Sequence, residues 1–408
     1  VSDTESPTKS LKLTGGNVWG GKESGFAVRD VVVKNGIVST DDDPTESETI
    51  NCTNKWILPG FIDAHFHAYA ISLEGLENEA GYLSLSAIKG SRRLRAALRR
   101  GFTTVRDVAG GDYGLKMAVD NRLIESPRYL FTGPAFSQTG GHGDPRSNDF
   151  DMCFSTGHMC EIVDGVNDIR RVARERFRKG AHALKIMTSG GVFSVGDPLT
   201  RPQYFPEEIR AASDEARRRG SYVTAHSYSV EGIMMSIENG VTCIEHGNLI
   251  DEETVEAMAS RGVHLVPTLA AYDAMDRRGA KLGLNEISLA KNKEVLVRGQ
   301  EACRIALRAN VNLGFGTDLM GDLDDDQLRG ISLQVEAIGA RETIHSLTVA
   351  NARILGDEKL GNLADGCYGD AVVLDSNPLD TPEALYDVSQ HYCVVKDGEV
   401  VDRGGSLK

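Results

Sequence analysis

Residues 61–67 read Phe61-Ile62-Asp63-Ala64-His65-Phe66-His67, a short apolar run that ends in two histidines. An open doubly wound sheet would place a glycine-rich phosphate turn after its first strand, and here that place holds imidazoles. More apolar runs follow at Thr103-Thr104-Val105, Tyr129-Leu130-Phe131, Ala183-Leu184-Lys185-Ile186 and Tyr222-Val223-Thr224-Ala225. The series continues with Thr242-Cys243-Ile244, His264-Leu265-Val266 and Asn312-Leu313-Gly314-Phe315. Helical stretches fill the gaps, among them 206–219, 230–239, 252–261 and 291–309. Glu207-Glu208 opens one of these and Arg217-Arg218-Arg219 closes it, matching the helix dipole. Strand candidates that alternate with helices in this way predict an α/β fold, a (β/α)8 TIM barrel.

The chain ends read differently. Leu11 to Thr14, Asn17 to Trp19 and Val31 to Val33 are β-rich and broken by glycines, and Asn35-Gly36 is a two-residue hairpin signal. Residues 370–375, 391–396 and 399–401 repeat the pattern around the turn Asp397-Gly398. Neither end is large enough to hold a core alone, so both are expected to form one small β-sandwich domain. The expected division is 1–59 for its N-terminal part, 60–354 for the barrel and 355–408 for its C-terminal part.

Composition narrows the function. The chain has 408 residues with 40% hydrophobic and 25% charged, which is ordinary globular usage. A net charge of −14 argues against a nucleic-acid partner, which needs a basic footprint. Basic runs at 92–100, 170–179 and 217–219 alternate with apolar residues at helical spacing and read as solvated helix faces. Seven scattered cysteines without a CxxC are read as thiols, with Cys153 and Cys160 the one conceivable pair. No run of 18 apolar residues suggests a membrane partner. The chain opens at Val1 followed by polar residues 2–10, which leaves room for a removed signal peptide; compartment stays open, with the cytoplasm the default expectation.

The chemistry sits where the apolar runs end. His65 and His67 follow the first, Lys185 lies in the fourth, and His226 and His246 follow the fifth and sixth. Thr317-Asp318 follows the last. In a barrel, strand C-termini converge on one mouth, so four imidazoles, one carboxylate and one lysine would meet there. Residues i and i+2 of a strand share a face, which lets His65 and His67 reach one ion. Imidazole and carboxylate without thiolate suit zinc or a similar divalent ion. His158, His182, His264 and His345 lack such placement and are read as structural. An ammonium at Lys185 would suffer desolvation and repulsion from a cation. Either it faces a carboxylate, or its neutral amine has added carbon dioxide to become a carbamate able to bridge two ions.

Pro59-Gly60-Phe61-Ile62-Asp63-Ala64-His65-Phe66-His67, Lys185, His226, His246 and Gly316-Thr317-Asp318 resemble the amidohydrolase superfamily. Gly361 to Gly366 and Gly369 to Asp375 look like that superfamily's return to its small β domain. Gly140-Gly141-His142-Gly143-Asp144, Lys185 to Gly191 and His226-Ser227-Tyr228 are similar to the branch of Xaa-Pro dipeptidases, carboxypeptidases and ochratoxinase. The resemblance implies that His65, His67 and Asp318 hold one ion and His226 and His246 another, with carboxylated Lys185 as the bridge. A hydroxide shared by two cations would attack the carbonyl, and Asp318 would carry its proton to the leaving amine. His142 and Tyr228 would grip the substrate. His142 sits among glycines that admit close approach, Tyr228 offers a hydroxyl two residues past His226, and relatives use these positions.

The resulting expectation is a binuclear amidohydrolase for dipeptides or N-acyl amino acids with a free C-terminal carboxylate, assembling as a homo-oligomer. Three other readings compete. A mononuclear deaminase of the same fold would usually carry Glu where Ser229 stands. A phosphotriesterase or lactonase could use the same site. A non-catalytic scaffold would have no reason to keep all six ligand positions.

Overall fold

The computed structural model describes residues 10–41, 47–146, 152–194 and 196–403. Residues 1–9, the polar start noted above, lie outside them. Strands β1 (Ser10–Trp19), β2 (Phe26–Lys34), β3 (Ile37–Ser39), β4 (Ser47–Asn51) and β5 (Trp56–Pro59) come first. The middle of the chain carries β6 (Phe61–Phe66), β7 (Phe102–Asp107), β8 (Arg128–Phe131), β9 (Ala135–Ser137) and β10 (Cys160–Ile162). It continues through β11 (Leu184–Met187), β12 (Val223–Ser227), β13 (Cys243–His246) and β14 (His264–Val266). Three strands close the chain: β15 (Ala371–Leu374), β16 (His391–Lys396) and β17 (Glu399–Arg403).

The two ends meet in one eight-stranded sheet of order β17-β16-β15-β5-β1-β2-β3, with β4 also on β1. The joint is antiparallel pairing of β15 with β5, where Val372 faces Leu58. A sandwich implies two ladders; the hydrogen bonding here runs through one. The reason lies in β1, whose register shifts between Leu13 and Gly16. Its first half pairs with β4 and its second with β5, and such a bulge bends a strand without ending its sheet. Leu11, Leu13, Val31, Val33, Ile57, Val373 and Val395 fill the core beneath. The Asn35-Gly36 turn joins β2 to β3 as read, with Lys34 opposite Ile37.

The middle strands form two parallel sheets, β6-β7-β8 and β10-β9-β11-β12-β13-β14. Residues 312–318 reach the outer strands of both. Leu265 N donates to Asn312 O at 3.1 Å and Gly314 N to Leu265 O at 2.8 Å, while Ala64 N donates to Phe315 O at 2.9 Å. Gly316 is required at this crossing, because a Cβ there would lie 2.5 Å from the Cβ of His65. Both faces of β6, β7, β11, β12 and β13 are buried, which suits their near-continuous apolar runs.

Helices Pro206–Arg218, Val230–Glu238 and Glu252–Ser260 sit where periodicity places them. Ser229 and Asp251 cap the last two by accepting from Gly232 N and Thr254 N. The long helix expected over 291–309 starts earlier, at Glu286, because Asn285 caps it by accepting from Ser288 N. The basic runs lie on helices, where Arg99 meets Glu125 at 3.1 Å and Arg174 meets Glu215 at 2.6 Å, but Arg93 and Arg176 are buried and do not belong to a solvated face. All seven cysteines are free, Cys153 and Cys160 included. Among the described residues no helix is long and apolar enough to cross a membrane.

Candidate active site

Strand ends bring the candidate residues together. His65 ends up buried on β6 and His67 just beyond it, with ring centroids 5.0 Å apart. Asp318 Oδ1 lies 2.9 Å from His67 Nε2 and 3.3 Å from His65 Nε2. His246, at the end of β13, stands 4.9 Å from the His65 ring and 4.5 Å from the His226 ring. One ligand atom from each of His65, His246 and Asp318 lies within 4.8 Å of the others, so these three could hold a metal ion. This trio cuts across the expected partition, which placed His246 with His226. His67 joins the trio through Asp318, and His226 through the His246 ring. Lys185, on β11, is buried, and its side chain makes no hydrogen bond or ion pair among the described residues.

Two of these residues hold unusual backbone. His246 has φ 75° and Asp318 φ 54°, the left-handed region that side chains other than glycine seldom adopt. Such strain persists where the surroundings over-determine it, and it gathers at functional sites.

Each ring also has a nitrogen against a protein group other than Asp318. His65 Nδ1 lies 2.7 Å from Glu245 Oε2, and His67 Nδ1 lies 3.3 Å from the Ala109 carbonyl. His226 Nε2 lies 3.2 Å from the Gly190 carbonyl, and His246 Nδ1 lies 2.8 Å from both Thr268 Oγ1 and Tyr272 Oη. Partners of this kind orient imidazoles for a metal. Beneath them, Asp63 accepts from the Thr317 hydroxyl at 2.6 Å and from Gln327 Nε2 at 3.0 Å, tying β6 to the Asp318 segment.

Charge is arranged to match. Burial would raise the Asp318 carboxyl, but His65 and His67 overcome it and hold the group well below the usual carboxylate range. Burial would raise Glu245 too, and there Arg106 and His65 prevail. For His226, burial and the neighbouring His142, His246 and Lys185 all depress the imidazole. His246 is depressed as well, by burial first. Both rings are thus favoured in the neutral form, which is the form that binds metal. His67 goes the other way: burial opposes its charge, Asp107 and Asp318 outweigh it, and the pKa rises to about 9. Burial lowers the Lys185 amine to about 8 against the pull of Glu245 and Asp318.

The two residues expected to grip substrate flank the same centre. His142 stacks on His226 with centroids 4.3 Å apart and an interplanar angle of 22°. Its Nδ1 lies 2.7 Å from Ser194 Oγ and 3.7 Å from Asp197 Oδ2. The glycine that admits it is Gly191, where a Cβ would come within 2.0 Å of the ring. Tyr228 is buried and stacks on His246, with its hydroxyl 2.9 Å from that of Tyr272. Lys291 Nζ donates to the carbonyls of Gly191, Ser194 and Asp197 at 3.0, 2.7 and 2.6 Å.

Sequence reading missed Asp63, Arg106, Glu245, Tyr272 and Lys291. The first three carried a signal, a charged residue within or beside an apolar run, which is the cue that singled out Lys185. Tyr272 and Lys291 lie on helices distant in sequence and carried none.

The amidohydrolase family model matches residues 56–401. Ochratoxinase of Aspergillus niger is 31% identical over 366 residues, covering 84% of this chain and 75% of that protein. A crystal structure of a prolidase complexed with N-methylphosphonate-L-proline superposes with a TM-score of 0.93 at 37% identity, covering 97% of this chain and 100% of that one. A Xaa-Pro dipeptidase with bound methionine in the active site gives a TM-score of 0.85 at 26% identity, again over 97% and 100%. These likenesses bring a TIM-barrel-type fold with a second domain.

Proposed function

The chain belongs to the amidohydrolase family and is a hydrolase of amide bonds, and from that premise we propose that its substrates are dipeptides or N-acyl amino acids with a free C-terminal carboxylate. The observation that carries this reading is the meeting of Asp318 with His65 and His67, with His142 stacked beside them on His226. Similarity to a prolidase, a Xaa-Pro dipeptidase and ochratoxinase supports the substrate class. We read residues 312–318 as the eighth position of a closed (β/α)8 barrel spanning 60–354, flanked by 1–59 and 355–408 as parts of one β domain. Hydrogen bonding from 312–318 to β14 and β6 supports that closure.

In this reading His65, His67 and Asp318 would hold one zinc ion and His226 and His246 a second, with carboxylated Lys185 as the ligand both would share. The donor set fits: imidazoles and a carboxylate without thiolate, with ring nitrogens anchored to the protein. Bound divalent ions supply a polarised carbonyl and a water of lowered pKa. Asp318 takes the proton from the attacking water on a carboxylate oxygen and delivers it to the nitrogen of the breaking C–N bond. Lys185, as a neutral amine, forms an N–C bond with carbon dioxide and loses one proton. His142 donates to the substrate carboxylate. Ser229, the position a deaminase would fill with Glu, is used as a helix cap, which weighs against that chemistry. A single ion on His65, His246 and Asp318 is the second reading, favoured by the trio's mutual approach within 4.8 Å.

The test is release of free amino acid from Xaa-Pro dipeptides, basic-ended dipeptides and N-aroyl-phenylalanines. Turnover of at least one class is expected, with the corresponding C-terminal amides poor substrates. Equal turnover of acids and amides, or activity on phosphotriesters and lactones alone, would overturn the assignment.

His142→Ala and Tyr228→Phe sharpen it. Losing a donor to a charged group costs about 1.5–3 kcal/mol, or roughly ten- to a hundredfold in kcat/KM. The loss should fall on free-acid substrates with metal content unchanged. His142→Ala should hurt more, since the Tyr228 hydroxyl already meets Tyr272. If neither variant distinguishes acid from amide, the two residues do not bind the carboxylate.

A further inference from the structure

We infer that Glu245, itself held by Arg106, is a positioning residue that selects the Nδ1–H tautomer of His65 and so aims Nε2 at the metal centre. The inference rests on the reading of His65 as a metal ligand. Its basis is a relay of three buried polar groups on three strands. Arg106, from β7, is fully buried. Its Nε donates to the Ala64 carbonyl at 2.7 Å and its Nη2 to Glu245 Oε1 at 2.6 Å. The Thr224 hydroxyl also bonds Glu245 Oε1. The other carboxylate oxygen, Oε2, lies 2.7 Å from His65 Nδ1, while His65 Nε2 lies 3.3 Å from Asp318 Oδ1.

The direction of this relay follows from donor counting. A guanidinium has donors and no acceptor, so the group it faces must accept. An ionised carboxylate has only acceptors, so the nitrogen beside Oε2 must carry a hydrogen. With its hydrogen on Nδ1, the ring could present the Nε2 lone pair to a bound cation, which would also offset the Asp318 carboxylate that Nε2 faces at 3.3 Å. Arg106 also grips the backbone beside His65 through Ala64, so one side chain sets both the ring's strand and the ring's partner. Arg106 Nη1 also lies 3.2 Å from the Tyr222 hydroxyl, so the guanidinium that faces Glu245 is itself fixed from a further side.

Glu245→Gln isolates the effect. The amide has nearly the shape of the carboxylate, but its NH2 cannot face Arg106, which accepts nothing. Its oxygen must therefore turn to Arg106 and its NH2 to His65 Nδ1, which now has to accept. The hydrogen moves to Nε2 and blocks that atom as a ligand. Zinc affinity, measured by competition with a chromophoric chelator, should fall about ten- to a hundredfold, the range for removing such a partner. Nitrogen-15 spectra should report a hydrogen on His65 Nδ1 in the wild type and none there in the variant.

Glu245→Gln leaves Arg106 without its counter-charge and could destabilise the fold. The double variant Arg106→Met with Glu245→Met removes the whole buried pair, an exchange often neutral for stability. It should keep its Tm and lose zinc affinity to a similar extent. Wild-type zinc affinity in either folded variant, or a wild-type spectrum with no hydrogen on His65 Nδ1, would overturn the inference. His65→Ala separates it from the reading beneath: unchanged zinc affinity there would refute His65 as a ligand, and the spectra would still decide the tautomer.

Discussion

Asp318→Asn should cut kcat/KM for every amide substrate by about a hundred- to ten-thousand-fold, the usual contribution of a positioned acid–base group. The substitution is unusually clean here. Asp318 holds φ 54°, and asparagine is among the few residues that also visit the left-handed region, so the backbone is preserved. What disappears is the charge that sits 2.9 Å from His67 Nε2 and 3.3 Å from His65 Nε2, together with any ability to carry a proton. An amide oxygen can still accept one hydrogen bond, so the rings should stay in place. Asp318→Ala would confuse the result by adding left-handed strain to the loss of chemistry. Steady-state kinetics on a free-acid dipeptide, with metal content measured on the same preparation, decides the matter. A variant within threefold of wild type would remove Asp318 from the proton path altogether.

Lys185 carries the second large effect. Elemental analysis of protein purified without chelator is expected to approach two divalent ions per chain, and Lys185→Ala should lose metal and activity together. The physical motive is placement. Lys185 lies between Leu184 and Ile186 on a fully buried strand, without a hydrogen-bond or ion-pair partner among the described residues. A buried ammonium without a partner is costly, whereas a carbamate on the same nitrogen would be an anion facing cations. Short carboxylates such as formate or acetate should partly restore Lys185→Ala by occupying the vacated oxygen positions. Lys185→Arg cannot form the carbamate, and full activity in that variant would sink the proposal. A single ion per chain in fully active protein would instead favour the trio of His65, His246 and Asp318.

The parts that were legible and the parts that were not differ in kind. Local chemistry announces a strand, a cap or a turn, which is why the Asn35-Gly36 hairpin and the helices from Pro206, Val230 and Glu252 fall where the periodicity places them. The early start of the helix at Glu286 turned on a single capping asparagine, a signal easily overlooked inside a polar stretch. The site was legible to the depth of its polar strand ends. His65, His67, His226, His246 and Asp318 each follow an apolar run, and a polar group at that point in an alternating α/β chain is informative because the architecture sends strand ends to one place.

What the linear chain determined alone, then, is most of the inventory: where apolar runs and helices fall, which run ends carry imidazole or carboxylate, and that a lysine lies among them; β9 and β10 went unread, and the run Asn312 to Phe315 forms a bridge at Leu313 in place of the eighth strand expected there. Those properties depend on residues near one another along the chain. The tertiary structure decided everything that depends on distance across it. It brought His246 within reach of both His65 and Asp318, stacked His142 on His226 and turned the Tyr228 hydroxyl toward Tyr272. It also joined the two chain ends through a strand that changes partners at its bulge. Arg106 and Glu245 stand 139 residues apart and meet at 2.6 Å, and no local pattern encodes that meeting. Hydrogen-bond direction is decided by which groups face one another, and only folding brings them face to face.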